Sequence, residues 1–545
     1  MHFRSTTSFT TLKNIPNGSA NRATGLMLQA GFIRQELAGV YNFLPLGLRV
    51  VRNIEQIVRE EMDAIGGQEI HMATLVAKEK MELTNRWWVD ILYKLTWSNN
   101  AEFALGFSHE EVATPLMLEF LQSYKSLPAC VYQFQTKFRN EKRAKSWLLR
   151  GREFKMKDAY SFHDSQEDLT KYFEEMRAAY HRIFHRAGIG DSTVDAYADG
   201  GEFTDIPSVE FQTFTDIGED VLFFDESSDT WYNQEVTPSQ APSYAYSDES
   251  KEFTREMREG ITGVQALIKE FGIDIEQSTK TLLYERDGKM MAVVLRSDYD
   301  VNMIKVRQIA GNGWEPATAQ MIKKITWAEP GYAGLYNLPE EIELYVDDAV
   351  APMTNFETWG NETGLHVTNC NWDRDISRPE EFYDLKEAKE GDINPKTGKS
   401  YEYRKTSEVG NIFDLWQKYS KAFDIKTTSE NGDVFAPWMG CYGVGITRLM
   451  GIVAEVFADE KWLVWPESIA PYTHYIVVHG DHLDRAKQIA RGLESEGKAV
   501  LIDDRDCGFG QKAADADLLG IPYRVVVSDR TQDQEGGYEL TERIA

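Results

Sequence analysis

Cysteine is scarce in this sequence, and its spacing excludes two of its common uses. The chain of 545 residues has four cysteines, Cys130, Cys370, Cys441 and Cys507, and no two of them form a C-x-x-C pair. A disulfide framework needs a denser cysteine pattern, and a zinc knuckle needs closely spaced pairs. We therefore expect four reduced thiols.

Long apolar runs and an excess of positive charge are also missing. No run approaches the ~18 apolar residues that a membrane-spanning helix needs, and the N-terminus lacks the continuous apolar core of a secretory signal. Lys and Arg number 59 against 87 Asp and Glu, which gives a formal net charge of −28. This balance argues against nonspecific wrapping of nucleic acid. We expect a cytoplasmic protein without a membrane or DNA partner.

The length and the alternating patterns predict several domains. Short β-rich runs mixed with helical runs between residues 103 and 163 predict an α/β domain built on an antiparallel sheet. A Ser-, Asp- and Pro-rich stretch at 224–252 indicates the start of an inserted α/β unit. A β-α-β-α-β alternation over 474–528 predicts a small parallel sheet. The predicted segments are 1–223, 224–405, 406–466 and 467–545.

A basic strip stands out against the acidic chain. "QTKFRNEKRAKSWLLRGREFKMKD", residues 135–158, has nine Lys or Arg and three acidic residues. Because side chains alternate along a strand, Arg139 and Glu141 are predicted to share one face, with Arg152 opposite them on the returning strand. Arginine forks suit phosphate or carboxylate, and an aromatic ring such as Phe154 can stack on a base. The alternative is a solvated charged hairpin.

Two further stretches could carry chemistry. In "MGCYGVGITRLMG", Gly440, Gly443 and Gly445 precede a helix with Arg448 in its first turn, so a ligand could approach the backbone closely. The glycines could equally serve tight packing of the helix on the sheet.

In "LGFSHEEV", Ser108 and Glu110 could bind an amine. A helix N-cap by Ser108 with Glu111 is an equally good explanation.

Two other patterns imitate known motifs. "GFGQKA" with Asp529 imitates a dinucleotide fingerprint, but the sequence given holds only 16 residues after Asp529, too few for the second half of that fold. "HRIFH" at 181–185 places two histidines at i and i+4 but lacks the glutamate of a zinc protease motif. We set aside a nucleotide-binding oxidoreductase and expect a helix surface for the histidine pair.

Taken in order, "LGFSHEEV", "QTKFRNE", "GREFKMKDAYSFH" and "GCYGVGITR" make the chain resemble the bacterial prolyl-tRNA synthetases, which are class II aminoacyl-tRNA synthetases. The resemblance runs from about residue 20 to 530. It implies a multidomain α+β and α/β fold: an antiparallel catalytic core, an inserted α/β editing domain and a C-terminal α/β anticodon-binding domain.

The resemblance also implies roles for individual residues. Arg139 would hold the α-phosphate of ATP, Glu141 would position ATP, Phe154 would stack on adenine, and Arg152 and Arg448 would clamp the outer phosphates. The proline pocket would be formed by Ser108, Glu110, Arg139, Glu210, Gln212, Cys441 and Gly443.

Editing, cofactors and partners follow from the same resemblance. Hydrolysis of wrongly charged alanyl-tRNA would depend on Lys280, Asp347 and His366, and tRNA contacts are expected at Arg143, Lys145 and Lys512. The implied cofactors are ATP and Mg²⁺, with metal ligands unknown. The implied partners are L-proline, tRNA(Pro) and a second copy of the chain in a homodimer.

Several positions depart from the family pattern. Three of them, Asn411, Asp414 and Trp416, leave open a rival hypothesis, a synthetase-like paralogue that binds tRNA or ATP without aminoacylating. The departures are Ala73, Trp147, Leu335, Asn411, Asp414 and Trp416.

Overall fold

The computed structural model describes residues 1–8, 10–16, 21–142 and 147–543. The chain divides into two units: the first comprises residues 1–196, 200–220 and 405–545, and the second comprises residues 197–199 and 221–404. Within the described ranges, no helix is both long enough and apolar enough to cross a membrane.

The helices follow the apolar spacing of the sequence; in the second of them, for example, Val51, Ile54 and Val58 are buried. The α-helices are α1 (Arg22–Ala30), α2 (Pro45–Ala64), α3 (Lys78–Leu83), α4 (Glu110–Met117), α5 (Gln166–Arg186), α6 (Val264–Phe271), α7 (Met303–Ala310), α8 (Ala319–Thr326), α9 (Lys418–Ala422), α10 (Ile446–Phe457), α11 (Leu483–Ser495) and α12 (Phe509–Leu519).

The strands up to the start of the second unit are β1 (His2–Phe3), β2 (Ile33–Leu37), β3 (Val40–Phe43), β4 (Gln68–Glu69), β5 (Leu75–Ala77), β6 (Lys94–Thr96), β7 (Glu102–Leu105), β8 (Ala129–Phe138), β9 (Glu153–His163), β10 (Thr193–Ala198), β11 (Ser208–Phe214) and β12 (Asp220–Asp225). The remaining strands are β13 (Thr230–Asn233), β14 (Thr254–Met257), β15 (Thr279–Arg286), β16 (Lys289–Arg296), β17 (Glu315–Pro316), β18 (Ile342–Val346), β19 (Phe356–Trp359), β20 (Leu365–Cys370), β21 (Glu402–Trp416), β22 (Thr427–Thr428), β23 (Val434–Phe435), β24 (Trp438–Gly445), β25 (His474–Val478), β26 (Val500–Asp503), β27 (Tyr523–Val527) and β28 (Glu539–Glu542).

The first unit is organised around a large sheet in which neighbouring strands pair in the succession β10-β11-β21-β24-β9-β8-β4, and to which β12 and β13 also belong. Neighbouring strands from β11 through β21, β24 and β9 to β8 are antiparallel, and only the short β4 runs parallel to β8. The antiparallel sheet predicted from the sequence is therefore confirmed.

One face of this sheet is covered by helices and the other carries the polar residues of the site. Apolar side chains of α1, α2, α5 and α10 pack against one face in a single core, which includes Leu26, Ile54, Ile183, Leu449 and Val444. Because successive side chains of a strand point to opposite faces, the residues between those core positions project from the other side.

The C-terminal part of the first unit is a five-stranded sheet in the order β1-β26-β25-β27-β28, with α11 and α12 as its helices. The strands β25, β26 and β27 are parallel, which confirms the predicted β-α-β-α-β alternation. Two added strands were not predicted: β1 runs parallel to β26, and β28 runs antiparallel to β27.

The second unit contains a four-stranded sheet, β17-β15-β16-β18, and a three-stranded sheet, β14-β20-β19. The pair β15–β16 is antiparallel and β16–β18 is parallel. The helices of this unit are α6, α7 and α8, so it is a mixed α/β structure, as the sequence predicts.

Candidate active site

A row of five residues crosses the face of the large sheet that lies opposite α1, α2, α5 and α10. Glu210 on β11 is opposite Asn411 on β21, Asn411 is opposite Gly443 on β24, Gly443 is opposite Asp158 on β9, and Asp158 is opposite Gln133 on β8. Five strands from distant parts of the sequence therefore contribute to one surface. Glu210 and Gly443, which the sequence predicted separately, lie in this row.

Glu110 is a fully buried carboxylate at one end of this surface. It is the first residue of α4, and its Oε1 accepts a hydrogen bond from the Cys441 thiol at 3.0 Å. Burial alone would raise the pKa of Glu110, but the charge and hydrogen bond of Arg86, aided by Ser108, lower it to about 2. Glu110 is thus an anion that a buried cationic group could contact.

The structure decides between the two explanations of the "LGFSHEEV" stretch. The N-cap position of α4 is His109, whose side chain makes no capping bond. Ser108 instead supports the Glu110 carboxylate. The capping-box alternative is therefore wrong for this segment.

The predicted pocket wall is a connected set of polar side chains. The Gln212 amide donates to Glu210 Oε2 at 2.8 Å, and the Asn411 amide donates to Glu210 Oε1 at 3.2 Å. Gln212 also donates to Asp220 at 3.2 Å. Asn411, one of the departures from the family pattern, is thus part of the wall.

Gly440 and Gly443 on β24 differ in how much space surrounds their Cα atoms. A Cβ at Gly440 would lie 2.0 Å from the Tyr442 hydroxyl, so packing requires glycine there. A Cβ at Gly443 would meet nothing closer than Met156 Sδ at 3.6 Å, an ordinary contact. Gly443 therefore leaves space above the sheet instead of serving tight packing.

Arg139 and Phe154 meet at the other end of the surface. The Arg139 amide donates to the Arg152 carbonyl at 2.9 Å, and the guanidinium carbon lies 5.2 Å from the centre of the Phe154 ring. Arg139 Nε is buried and has no hydrogen-bond partner. Burial, opposed by the charge of Glu408, lowers the pKa of Arg139. A partly buried guanidinium with an unused donor is poised for an anionic ligand.

The remaining charged residues at this end of the sheet form hydrogen bonds and ion pairs among themselves. Arg152 donates from Nε and Nη2 to the Glu141 carbonyl at 3.0 and 2.9 Å, and the Glu141 carboxylate accepts from Arg150 Nε at 3.0 Å. Arg448, in the first turn of α10, donates to Glu408 Oε2 at 2.7 Å. The structure thus brings the predicted residues Arg139, Glu141, Arg152, Phe154 and Arg448 to one end of the sheet.

Sequence reasoning missed a buried network that includes two residues of this row, Asp158 and Gln133. Lys137 is fully buried, and its ammonium group lies 2.5 Å from His109 Nδ1 and 2.7 Å from Asp158 Oδ1. Asp158 also accepts from Gln133 at 3.0 Å and Tyr160 at 2.8 Å. The alternating polar residues of "QFQTK" on β8 were the available signal. Burial and the Lys137 charge lower the pKa of His109 to about 4.

The three predicted editing residues have separate environments in the second unit. Lys280 on β15 forms an ion pair with Asp300 at 2.8 Å. Asp347 is buried 3.7 Å from Lys386, and burial, which outweighs that opposing charge, raises the pKa of Asp347 to about 6.

His366 is fully buried on β20. Its Nδ1 lies 3.8 Å from Glu357, and its ring packs on Trp359 at 4.1 Å, with Phe271 and Tyr332 also adjacent. The editing roles stay predictions.

Of the three residues predicted to contact tRNA, the structure describes one. Arg143 and Lys145 lie outside the described residues. Lys512 is 5% exposed, and its ammonium group donates to the carbonyls of Val478 and Asp503 at 2.8 and 3.3 Å. This placement argues against a direct tRNA contact, because the ammonium group is buried and already donates to the last carbonyls of β25 and β26.

Trp147, a departure expected near the tRNA, packs its ring 5.9 Å from Tyr41 beside the core.

Comparison with known families identifies the class. Residues 93–457 match the family "tRNA synthetase class II core domain (G, H, P, S and T)", and residues 474–544 match "Anticodon binding domain". The open antiparallel sheet with arginines at one end and the buried Glu110 at the other is thus the core of a class II aminoacyl-tRNA synthetase.

Within that class, two curated relatives are proline–tRNA ligases. The proline–tRNA ligase of Bacillus cytotoxicus is 37% identical over 534 residues, covering 96% of this chain and 93% of the relative. Proline–tRNA ligase 1 of Bacillus thuringiensis subsp. konkukian matches with the same identity and coverage. The chain belongs to the proline–tRNA ligase family.

Solved structures show the same fold. The Giardia lamblia prolyl-tRNA synthetase in complex with prolyl-adenylate has a TM-score of 0.57 at 14% identity, covering 98% of this chain and 75% of that one. The Cryptosporidium parvum enzyme complexed with L-proline and AMP has a TM-score of 0.54 at 12% identity, covering 96% and 72%.

Proposed function

We propose that the chain activates L-proline with ATP and transfers the prolyl group to the 3′ end of tRNA(Pro). The observation that carries this proposal is the placement of a buried anion, Glu110, and a partly buried guanidinium, Arg139, on the same sheet face. Proline offers a cationic imino group to the first and a carboxylate to the second. A cytoplasmic location is part of the proposal.

The amino acid and the nucleotide would take opposite ends of the surface. Glu110, supported by Ser108 and Cys441, would accept the imino group, with Glu210 and Gln212 as the pocket wall and Gly443 leaving room. Phe154 would stack on adenine, Arg139 would bind the α-phosphate, and Arg152 and Arg448 would hold the outer phosphates, with Glu141 positioning the nucleotide.

The chemistry needs alignment and charge stabilisation, with no side chain as nucleophile. A proline carboxylate oxygen attacks the α-phosphorus; the bond from phosphorus to the oxygen bridging to the β-phosphate breaks, and pyrophosphate leaves with that bonding pair. Arg139 would neutralise charge that builds on the α-phosphate. The terminal ribose hydroxyl of tRNA then attacks the prolyl carbonyl, and AMP leaves.

Mg²⁺ is proposed to bind mainly through ATP. Proteins commonly hold Mg²⁺ by one or two carboxylates together with substrate phosphates. Across the described parts of the chain, no group of three or more His, Cys, Asp or Glu side chains is arranged to hold a metal. Glu141 and Glu408, whose charges act on Arg139, are the carboxylates that would complete the coordination and help neutralise the phosphates.

The direct experiment is ATP–pyrophosphate exchange with the wild-type protein, run separately with proline, alanine and cysteine. Exchange with proline, and weaker exchange with the two smaller amino acids, is expected. Absence of exchange with all three, while tRNA(Pro) still binds, would favour the non-aminoacylating paralogue that Asp414 and Trp416 suggest.

A second proposed activity is hydrolysis of alanyl-tRNA(Pro) by the second unit. The physical motive is that a pocket large enough for proline rejects alanine weakly, since each missing methylene is worth only about 1 to 3 kcal/mol. Lys280, 20% exposed and paired with the highly exposed Asp300, is the most accessible of the predicted editing residues and would contact the tRNA terminal phosphate.

Replacing Lys280 with alanine is expected to slow alanyl-tRNA hydrolysis about tenfold or more, because a phosphate contact is lost, while prolyl-tRNA formation stays within twofold. Deacylation of labelled alanyl-tRNA(Pro) measures the effect. The matched control is Lys289→Ala, which removes an exposed lysine from the neighbouring strand β16. Unchanged hydrolysis in Lys280→Ala would contradict the assignment.

We also propose a homodimer. The three-stranded sheet β5-β7-β6 buries Val76 and Ala104 in a core on one face. Its other face exposes Leu75 and Leu95 at 47% and 41%, and Trp97 at the end of β6 is 55% exposed. An exposed apolar sheet face of this kind is typical of an interface, and a second copy of the chain is the proposed occupant. Sedimentation would report the mass.

A further inference from the structure

Arg86 joins the buried Glu110 to a second buried carboxylate. Its Nη1 donates to Glu110 Oε2 at 2.8 Å, to Glu111 Oε1 at 3.0 Å and to the Tyr419 hydroxyl at 3.0 Å. Arg86 is 2% exposed and both carboxylates are fully buried. Neither the sequence motifs nor the family resemblance pointed to this arginine.

Aromatic rings fix the position of the guanidinium. Its central carbon lies 4.3 Å from the Phe107 ring centre, 4.8 Å from that of Phe203 and 5.6 Å from that of Tyr419. Nε and Nη2 are buried without hydrogen-bond partners. The hydrogen bonds of Arg86 are thus concentrated on the nitrogen that faces the two carboxylates.

The two carboxylate oxygens of Glu110 have different hydrogen-bond partners. Oε2 is held by Arg86, while Oε1 accepts from Cys441 at 3.0 Å. This fixes the plane of the carboxylate, so its remaining lone pairs keep one direction. Carboxylates left free to rotate would lose part of the hydrogen-bond geometry that a cationic ligand needs.

Glu110 and Glu111 also place two acids side by side in the interior. Two buried like charges without a cation cannot both stay ionised. Thr84 donates to Glu111 Oε1 at 2.7 Å, while Glu111 Oε2 is buried without a partner. Arg86 is therefore the cation that determines which of the two acids, Glu110 or Glu111, stays ionised.

We propose that Arg86 is a positioning residue for amino acid binding, which keeps Glu110 ionised and oriented toward the imino group of proline by balancing the charge of Glu111. The proposal rests on the proposed function, because Glu110 must be the proline contact. It adds a residue that touches neither substrate.

The charge balance around Glu110 makes the proposal testable through pH. With Arg86 present, the pKa of Glu110 is lowered to about 2 and that of Glu111 is raised by burial, which outweighs the opposing charge of Arg86. Removing Arg86 is expected to raise the pKa of Glu110, so its charge would be lost near neutrality and return as pH rises. The titratable and charged groups whose fields reach this pair are Arg86, His109, Lys137, Tyr160, Lys418, Tyr419 and Cys441.

The experiment measures KM for proline and for ATP by pyrophosphate exchange in four proteins: wild type, Arg86→Met, Glu111→Gln and the double variant. Arg86→Met is expected to raise KM for proline about 30-fold or more at pH 7, with KM for ATP within threefold, and raising the pH to 9 should recover much of the loss. Glu111→Gln alone should stay within threefold, and adding it to Arg86→Met should recover proline affinity at least fivefold.

Several results would overturn the proposal. One is a proline KM within threefold of wild type in Arg86→Met; another is an equal rise in both KM values; a third is a double variant no better than Arg86→Met. If Arg86→Met does not fold, Arg86→Lys replaces it: retained charge predicts a rise below fivefold, and a rise of 30-fold would show that ring packing matters instead. Wild type without proline exchange would instead refute the proposed function itself.

Discussion

The Arg139→Ala substitution is expected to lower the rate of proline-dependent ATP–pyrophosphate exchange about 10³-fold. Removing one preorganised hydrogen-bond donor that contacts the transition state typically lowers the rate about 10²- to 10³-fold. Removing an arginine that binds the transferred phosphate lowers it about 10³- to 10⁵-fold. In the proposed site Arg139 has both roles, and two observations support this proposal: its Nε is buried without a partner, and its guanidinium adjoins Phe154. The loss should appear in kcat as well as in KM, because the charge on the α-phosphate grows during attack.

A control for this substitution lies in the same basic strip. Lys142 is highly exposed and paired with Asp90 at 2.7 Å, so Lys142→Ala should leave exchange unchanged. Exchange in Arg139→Ala within threefold of wild type would remove Arg139 from the proposed site. Circular dichroism of both variants separates a catalytic loss from unfolding.

Replacement of Glu110 with glutamine is expected to raise KM for proline about 100-fold or more, with KM for ATP little changed. Breaking one partner of a buried, hydrogen-bonded charge pair costs about 2 to 5 kcal/mol, which is about 30- to 5,000-fold in affinity. The substitution keeps the size of the side chain but removes the negative charge that would face the imino group. Exchange measured across proline concentrations gives the two constants.

An exposed acid further along the chain supplies the comparison for Glu110. Glu119→Gln, beyond the end of α4, is expected to behave like wild type. A Glu110→Gln enzyme with a normal proline KM would show that another group recognises the imino nitrogen. Glu210 would then be the next residue to test, because it lies on the same sheet face.

The parts of the site that lie within one strand or hairpin could be predicted from the sequence. Period-two alternation and the long motifs placed Arg139, Arg152 and Phe154 together because β8 and β9 are adjacent in the chain and pair directly. The antiparallel core and the C-terminal β-α-β-α-β order followed from the same local patterns. Short-range regularities therefore specify most of the nucleotide end.

The rest of the site depends on contacts that no local pattern reveals. Arg86 and Tyr419 touch although they are 333 positions apart, and a strand's alternation cannot show which distant loop will cover it. Lys512 shows the same limit: the resemblance marked this residue, but no local pattern shows that its ammonium group reaches two backbone carbonyls. His366, which the resemblance places among the editing residues, is enclosed by aromatic rings, and no local pattern indicates this.

The way the chain leaves and rejoins the large sheet has a consequence for modularity. Phe214, the last residue of β11, is directly opposite Thr406 on β21, and the Thr215 amide bonds the Lys405 carbonyl at 3.1 Å. Residues 221–404 thus occupy the place of a hairpin loop between two paired strands. A turn of about two to five residues closes such a hairpin. Because Thr215 and Lys405 are hydrogen-bonded neighbours, the chain leaves and rejoins the first unit at nearly one point, which is the geometry that tolerates the insertion of a domain.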